Sequence, residues 1–201
     1  MRKRPNIFRI VMLGTFTAIA IILTLTPLGY ISTPFLAITT VHIPIIVAAI
    51  LFGPVDGSIV GAIIGILCMV KAAAFPTTVT DWMFVNPVLS LVPRILIGLV
   101  TAFVFIGVCK LFRKSDNPAA KAFSVTVAAV AGTLTNTVGV LTALGLLYPE
   151  QAQVGGAGNL FTNLITTIFA TNGLFEIVAA IALAVPIVLA VDRFRKRRIT
   201  E

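Results

Sequence analysis

The sequence predicts an all-α, polytopic membrane protein with six transmembrane helices and both termini in the cytoplasm. Of its 201 residues, 58% are hydrophobic and 11% are charged, whereas a soluble domain is about 45–50% apolar and roughly 25% charged. The mean hydropathy is +1.08, and apolar runs long enough to cross a bilayer of ~30 Å recur along the chain. Most of the basic residues also flank the same predicted side of these runs.

This composition excludes several broad classes of protein. A disordered chain would be rich in charge and poor in Ile, Leu and Val. The net charge is +8, but the basic residues adjoin apolar runs, which is typical of a membrane face and not of nucleic-acid binding. We therefore expect residues 1–201 to form a single membrane-embedded domain in the cell membrane, surrounded by the lipid bilayer and without a nucleic-acid partner.

The first half of the chain predicts a long helix followed by an unusual loop and a short helix. Helix 1 is predicted from Ile7 to Leu25, and its apolar run is too long for a cleaved signal peptide. Pro and Gly residues predict a loop over 26–41 that is apolar enough to fold back over a site. Helix 2 is predicted to begin near His42 and to end at a tight turn over Gly53–Gly57. At about 11 residues it is shorter than a full span, which suggests a cavity reaching into the membrane.

The remaining helices follow from the same apolar runs. Helix 3 is predicted over 58–73, with glycines at 57, 61 and 65 that let another helix approach closely. The pair Asn86-Pro87 predicts the start of helix 4, which extends to about Phe112. Helix 5 is predicted over 120–147 and helix 6 over 172–191, where Pro186 predicts a kink. Between them we expect loops and a short interfacial helix over 159–170.

The distribution of charge predicts the orientation. Six spans place both termini on one side of the membrane. Thirteen of the 15 basic residues fall on that side in three groups: Arg2, Lys3, Arg4 and Arg9; Lys110, Arg113, Lys114 and Lys121; and Arg193, Arg195, Lys196, Arg197 and Arg198. The loops on the opposite side carry none. Because cytoplasmic loops are enriched in Lys and Arg, we expect this side to be cytoplasmic.

Polar residues within the apolar spans define the candidate binding site. A charge at the bilayer centre costs ~2.5–3.5 kcal/mol on insertion scales, so such residues usually face a cavity or a partner. Arg94 and Glu176 are predicted to lie roughly 12 Å and 6 Å below the outer ends of helices 4 and 6. The predicted substrate-binding residues share this outer half of the membrane, and they are His42, Lys71, Asn86, Arg94, Asn136, Asn172 and Glu176.

Each of these residues also has a structural interpretation. Arg94 could pair with Glu176 and lock two helices together. Lys71 could extend to the lipid headgroups, and His42 could cap helix 2. Asn136 could form a hydrogen bond to a neighbouring helix. The shared depth of several polar groups is what favours a binding site over these separate roles.

No motif typical of an enzyme is present. The sequence lacks GxxxxGK[ST], HExxH and GxSxG, so it has no P-loop for ATP, no zinc-protease helix and no nucleophile elbow. We therefore expect no enzymatic activity, no catalytic residues, no metal site and no cofactor bound by this chain. The two halves show no repeat, which argues against a self-contained alternating-access carrier.

Four stretches of the chain carry a family resemblance. They are TTVHIPII at 39–46, LFGPVDG at 51–57, PRILIG at 93–98 and TLTNT at 133–137. These stretches resemble the membrane-embedded substrate-binding (S) components of energy-coupling factor vitamin transporters. The similarity covers nearly the whole chain, and the first and third stretches look most like the pantothenate-type members of the family.

The resemblance implies a transport function with named partners. S components bind a water-soluble vitamin with high affinity from outside. They deliver it to a transmembrane coupling (T) subunit that carries two ATPase subunits, so ATP would be bound by the partners and not by this chain. In the family, small residues spaced by four on helix 1 dock the coupling subunit. The matching positions here are Gly14 and Ala18, for which internal packing is the competing interpretation.

The vitamin implied by the resemblance is pantothenate, an anion with hydroxyl groups and an amide. Arg94 would hold its carboxylate, and His42, Asn136 and Asn172 would bond the rest. Glu176 would orient Arg94, bond a hydroxyl or be protonated, and full neutralisation of Arg94 would instead favour a neutral or zwitterionic vitamin. The alternatives are an S component for folate, riboflavin or a B6/B12-type compound, a structural or assembly membrane protein, and an intramembrane enzyme acting on lipid.

Overall fold

The computed structural model describes residues 7–26, 29–31, 38–76, 81–112, 118–148 and 173–200. This part of the chain is almost entirely helical. Its elements are, in chain order, α1 (Ile7–Leu25), β1 (Tyr30–Ile31), β2 (Ile38–Thr39), α2 (Ile43–Phe52), α3 (Pro54–Ala74), a 3₁₀-helix (Asp81–Val85), α4 (Pro87–Ser90), α5 (Val92–Leu111), α6 (Pro118–Leu147) and α7 (Gly173–Thr200).

The lengths of these helices confirm a polytopic membrane protein. Within the described residues, 5 segments are long and apolar enough to cross a membrane: α1, α3, α4 with α5, α6, and the part of α7 up to Phe194. Helix α2 has 10 residues, or ~15 Å, and is too short to cross alone, as expected. The β-strands form a two-residue antiparallel ladder, a small departure from an all-α fold. The short helix expected at 159–170 lies outside the described residues.

Helix α2 lies inside the bundle. Every residue from 41 to 50 is buried, and the helix packs against α1, α3, α5, α6 and α7. A helix that is apolar all round is stable in such a position because no face needs water. Pro44 occupies its first turn, as predicted. Gly53 then reverses the chain with a φ of +98°, a conformation that side chains rarely adopt.

Helix α3 begins before its predicted start at residue 58. Pro54 opens the helix, and Asp56 lies in its first turn. The tight turn predicted over Gly53–Gly57 is therefore wrong in extent, because Gly53 alone makes the reversal. Proline fits the first turn, where no backbone N–H is needed, and the Asp56 carboxylate interacts favourably with the positive end of the helix dipole.

The glycine stripe of α3 is an internal packing surface. A Cβ atom at Gly57 would lie 2.5 Å from the Cβ of Ala49 in α2. At Gly61 it would overlap with the carbonyl oxygen of Arg94 in α5. The predicted close approach of another helix is thus confirmed, and both α2 and α5 make it. The short helix α2 and the segment of α5 that carries Arg94 therefore both pack against α3.

Candidate binding site

A break between α4 and α5 determines where Arg94 lies. The predicted helix 4 is interrupted at Leu91, a correction with a clear cause. Pro93 has no N–H, so it cannot donate the usual i to i−4 hydrogen bond to the carbonyl oxygen of Leu89. Instead Nη1 of Arg94 donates to that oxygen at 3.2 Å. The Arg94 guanidinium therefore replaces the backbone donor that Pro93 lacks.

Arg94 lies beside an aromatic ring, and none of the described carboxylates forms an ion pair with it. Arg94 is only 7% exposed, and its Cζ lies 5.7 Å from the centre of the Phe84 ring. Among the described residues, the ion pairs join Arg9 to Asp56, Lys71 to Asp81 and Lys121 to Asp192, and none includes Arg94. A buried cation without a paired anion is costly, which makes this position suited to an anionic ligand.

Glu176 bonds to the loop before α2 and not to Arg94. It is buried in the first turn of α7. Its Oε1 accepts hydrogen bonds from the N–H of Thr39 at 2.7 Å and from the Thr39 hydroxyl at 3.3 Å. These bonds connect α7 to β2, just before His42. Within the described part of the chain, the helix lock between Arg94 and Glu176 is therefore not formed.

His42 points its ring towards α6. It is 3% exposed, and its Nε2 lies 3.3 Å from the hydroxyl oxygen of Thr133. Its side chain forms no capping bond at the start of α2, so the capping interpretation is not supported. Its Nδ1 has no hydrogen-bond partner among the described residues. Asn136 follows Thr133 by about one helical turn and shares its face.

Asn136 lies in the interface between α5 and α6. The two helices approach closely on both sides of it, where Gly132 lies against Thr101 and Gly139 lies against Pro93. Asn136 is 6% exposed, and its Oδ1 has no hydrogen-bond partner among the described residues. A buried polar atom without a partner costs free energy, so the Asn136 amide is able to gain from a ligand that donates a hydrogen bond.

Four predicted substrate-binding residues thus come together, and we call them the polar site: His42, Arg94, Asn136 and Glu176. Glu176 bonds to Thr39, three residues before His42, and Pro93, which precedes Arg94, lies against Gly139 of α6. Asn136 joins the group through the α6 face that His42 contacts. Asn172 lies outside the described residues.

Lys71 and Asn86 have other partners. The Lys71 Nζ atom lies 3.3 Å from Oδ2 of Asp81, and both side chains are largely buried. The Asn86 side chain accepts the N–H of Val88 at 3.0 Å, which confirms the predicted cap of helix 4. Its Nδ2 lies 3.5 Å from the hydroxyl of Tyr148. Both residues therefore hold the region around the 3₁₀-helix together.

Some side chains that line or support the polar site were not among the predicted substrate-binding residues. Thr39 and Thr133 lie within two of the stretches that carry the family resemblance, which was a usable signal. Thr101 is fully buried in α5, and its hydroxyl has no partner among the described residues. Phe84 gave no signal, because one aromatic residue in an apolar loop is common.

Gly14 and Ala18 lie on the face of α1 that points away from the bundle. The buried residues of α1 are Phe16, Ala20 and Thr24, and at 3.6 residues per turn the small pair lies roughly opposite them. A Cβ atom at Gly14 would meet nothing within 4 Å, and Ala18 is exposed. Within the described part of the chain, the pair is not used for internal packing.

Comparison with known proteins gives a consistent family. The family model described as "ECF transporter, substrate-specific component" matches residues 8–188. The pantothenic acid transporter PanT of Lactococcus lactis subsp. cremoris is 29% identical over 209 residues, covering 96% of this chain and 98% of that protein. The pantothenate transporter PanT of Leuconostoc mesenteroides is 28% identical over 179 residues, covering 86% of each.

A solved structure has the same fold. The S component for biotin from an ECF-type ABC transporter superposes with a TM-score of 0.58. The match covers 96% of this chain and 95% of that one, at 19% sequence identity. The likeness at this identity concerns the arrangement of the helices.

Proposed function

The chain belongs to the family of ECF transporter substrate-specific components, and from this premise we propose that the vitamin it binds is pantothenate. It is a multi-pass protein of the cell membrane and a transport subunit, not an enzyme. Two relatives that align over most of their length are named as pantothenate transporters. Their names support the choice of vitamin, which the polar site supports independently.

The observation that carries this proposal is the buried charge of Arg94, which none of the described carboxylates pairs with. Its guanidinium has no carboxylate within ion-pair distance among the described residues. A carboxylate ligand would supply the missing anion through charge-assisted hydrogen bonds, which are about twice as strong as neutral ones. Pantothenate has one carboxylate. Glu176 accepts hydrogen bonds from Thr39, so it leaves the Arg94 position available.

The other polar atoms fit the rest of the vitamin. Asn136 Oδ1 and His42 Nδ1 are buried and lack hydrogen-bond partners among the described residues. Pantothenate carries two hydroxyl groups and one amide N–H, all of which donate hydrogen bonds. Asn136 Oδ1 accepts one of these donors, and His42 Nδ1 accepts another when the ring proton is on Nε2. Each bond would offset the cost of burying a polar atom. In this proposal Asn172 also contacts the ligand.

The partner of this chain is the ECF coupling module, since it is the substrate-specific component of such a transporter. We propose that the module's transmembrane (T) subunit docks on Gly14 and Ala18 and that its two ATPase subunits bind the ATP. The small residues expose the α1 backbone over one helical turn, which allows a partner helix to approach closely. Their outward orientation supports docking over internal packing.

Purification and ligand identification test the choice of vitamin. The detergent-solubilised protein should bind pantothenate stoichiometrically without ATP, and mass spectrometry of the co-purified small molecule should detect it. Detection of folate, riboflavin or a B6/B12-type compound instead would show that the chain binds that vitamin and would contradict the choice of pantothenate. A protein that holds no small molecule and binds none on titration would support a structural or assembly role instead. Turnover of added lipid would support the intramembrane enzyme.

A further inference from the structure

We propose that Phe84 is a positioning residue that makes the polar site selective for an anion, because its ring holds the Arg94 guanidinium without neutralising it. The inference rests on the proposed function, since it concerns how the same site recognises a carboxylate. It adds a residue of the 3₁₀-helix, outside the transmembrane helices, to the recognition of the ligand.

The Arg94 guanidinium is held from two directions. Its Nη1 donates to the carbonyl oxygen of Leu89 at 3.2 Å, and its Cζ lies 5.7 Å from the centre of the Phe84 ring. The negative face of an aromatic ring attracts a cation at this distance. A group held in place before the ligand arrives loses less conformational entropy on binding, so the two contacts favour tight binding.

The chemistry of the ring explains why an aromatic residue suits this position. A carboxylate beside Arg94 would neutralise the charge and occupy the N–H donors. A phenyl ring stabilises the cation but accepts no conventional hydrogen bond. Arg94 has five N–H donors, and Leu89 takes one of them in the described structure. The remaining donors allow a bidentate contact with a ligand carboxylate.

Phe84 is itself held in place. The hydroxyl of Ser90 donates to the carbonyl oxygen of Phe84, which ties the 3₁₀-helix to α4. At the other end of the same short helix, Asp81 forms an ion pair with Lys71. Phe84 also packs against the buried cluster of Met83, Leu89, Val140 and Leu144. The 3₁₀-helix that carries the ring is therefore bonded to α3 and to α4, and the ring itself packs against a buried cluster.

Comparison of two ligands separates positioning of the charge from support of the fold. Panthenol replaces the carboxylate of pantothenate with CH₂OH and keeps the hydroxyls and the amide. We expect the wild-type protein to prefer pantothenate over panthenol. Phe84→Leu should weaken pantothenate binding roughly 5- to 30-fold, the range expected for a partly desolvated cation–π contact. Its affinity for panthenol should change less than about twofold.

Two variants serve as controls in the same titrations. Phe84→Tyr keeps the ring face and should restore the preference for the anion. Met83→Leu changes the neighbouring buried residue, which has no ring, and should leave the ratio of the two affinities unchanged. Should Phe84→Leu not fold, Phe84→Met takes its place, because its long, flexible side chain fills an irregular gap without a ring.

The outcomes distinguish this inference from the proposed function. Equal weakening of both ligands by Phe84→Leu would overturn the inference, because the ring would then only shape the site. A wild-type protein that does not bind pantothenate, or binds panthenol equally well, would contradict the proposed function before any variant is measured. Loss of selectivity in Phe84→Leu with recovery in Phe84→Tyr would support both.

Discussion

The carboxylate of Glu176 accepts the backbone N–H of Thr39 at 2.7 Å, although 137 residues separate the two along the chain. The bond joins the start of α7 to β2, and α2 begins shortly after β2. Glu176 thus has a partner in the protein, and among the described residues Arg94 is left without a paired carboxylate. We therefore infer that Glu176 connects two elements of the fold, whereas Arg94 binds the anionic ligand.

This arrangement predicts that two substitutions of Glu176 affect different properties of the protein. Glu176→Gln keeps an oxygen that accepts the Thr39 N–H but removes a negative charge near the ligand carboxylate, so affinity for pantothenate should be equal to or higher than that of the wild type. Glu176→Ala removes the acceptor and should destabilise the protein by up to about 1–3 kcal/mol. Ligand titration and thermal unfolding measure both. A large loss of affinity in Glu176→Gln would show that the carboxylate contacts the vitamin.

The ion pair between Arg9 and Asp56 predicts a non-additive effect on stability. Asp56 is 2% exposed, whereas Arg9 is an exposed residue. Arg9→Met leaves a buried carboxylate without its cation, which is more costly than replacing both partners. The double variant Arg9→Met/Asp56→Asn should therefore unfold at a higher temperature than Arg9→Met alone. If the losses of stability in Arg9→Met and in Asp56→Asn, each measured alone, add up to the loss in the double variant, the two charges are not coupled.

Bulk on the outward face of α1 should separate transport from binding. Gly14→Leu with Ala18→Leu should abolish vitamin uptake in cells and co-purification with the ATPase module, while affinity stays within a few-fold, because the polar site lies on other elements. Gly107→Leu is a matched control, since Gly107 of α5 also has nothing within 4 Å of an added Cβ. Loss of affinity together with uptake would indicate damage to the fold. Normal uptake would place the docking surface elsewhere.

The charge distribution predicts which ends of the helices face the cytoplasm. Single cysteines at Phe112 and Phe75, in a background lacking Cys68 and Cys109, test it because both positions are exposed. Phe112→Cys, beside the basic segment after α5, should react only with reagent supplied from the cytoplasmic side. Phe75→Cys, at the end of α3, should react from outside. The reverse pattern would place the polar site in the inner half of the membrane.

Much of the fold could be predicted because it depends on local chemistry. Apolar length determines which helices can span the bilayer, and Pro44 and Gly53 mark the ends of the short α2. The break before α5 was missed, although Pro93 was visible, because the consequence of its missing N–H depends on which donor replaces it. That donor is the Arg94 side chain. The pattern of apolar residues in a sequence does not predict the direction in which a polar side chain points.

The candidate site was predicted in part for a similar reason. The positions of His42, Arg94, Asn136 and Glu176 along their helices predicted that they share one depth in the membrane, since each is a polar residue in an apolar run. Depth does not give direction around the helix axis or the partner on another element. Lys71 shares the predicted depth, but its ion pair with Asp81 depends on the packing of the 3₁₀-helix against α3.

The most direct test of the central claim is the affinity of Arg94→Gln for pantothenate, measured by titration of purified protein beside its thermal unfolding curve. If Arg94 holds the vitamin's carboxylate in a dry site, loss of that contact should weaken binding by roughly 30- to 1000-fold, or about 2–4 kcal/mol. The variant should still unfold cooperatively. Unchanged affinity together with a lower unfolding temperature would contradict the account, because Arg94 would then serve only the Leu89 carbonyl and the fold.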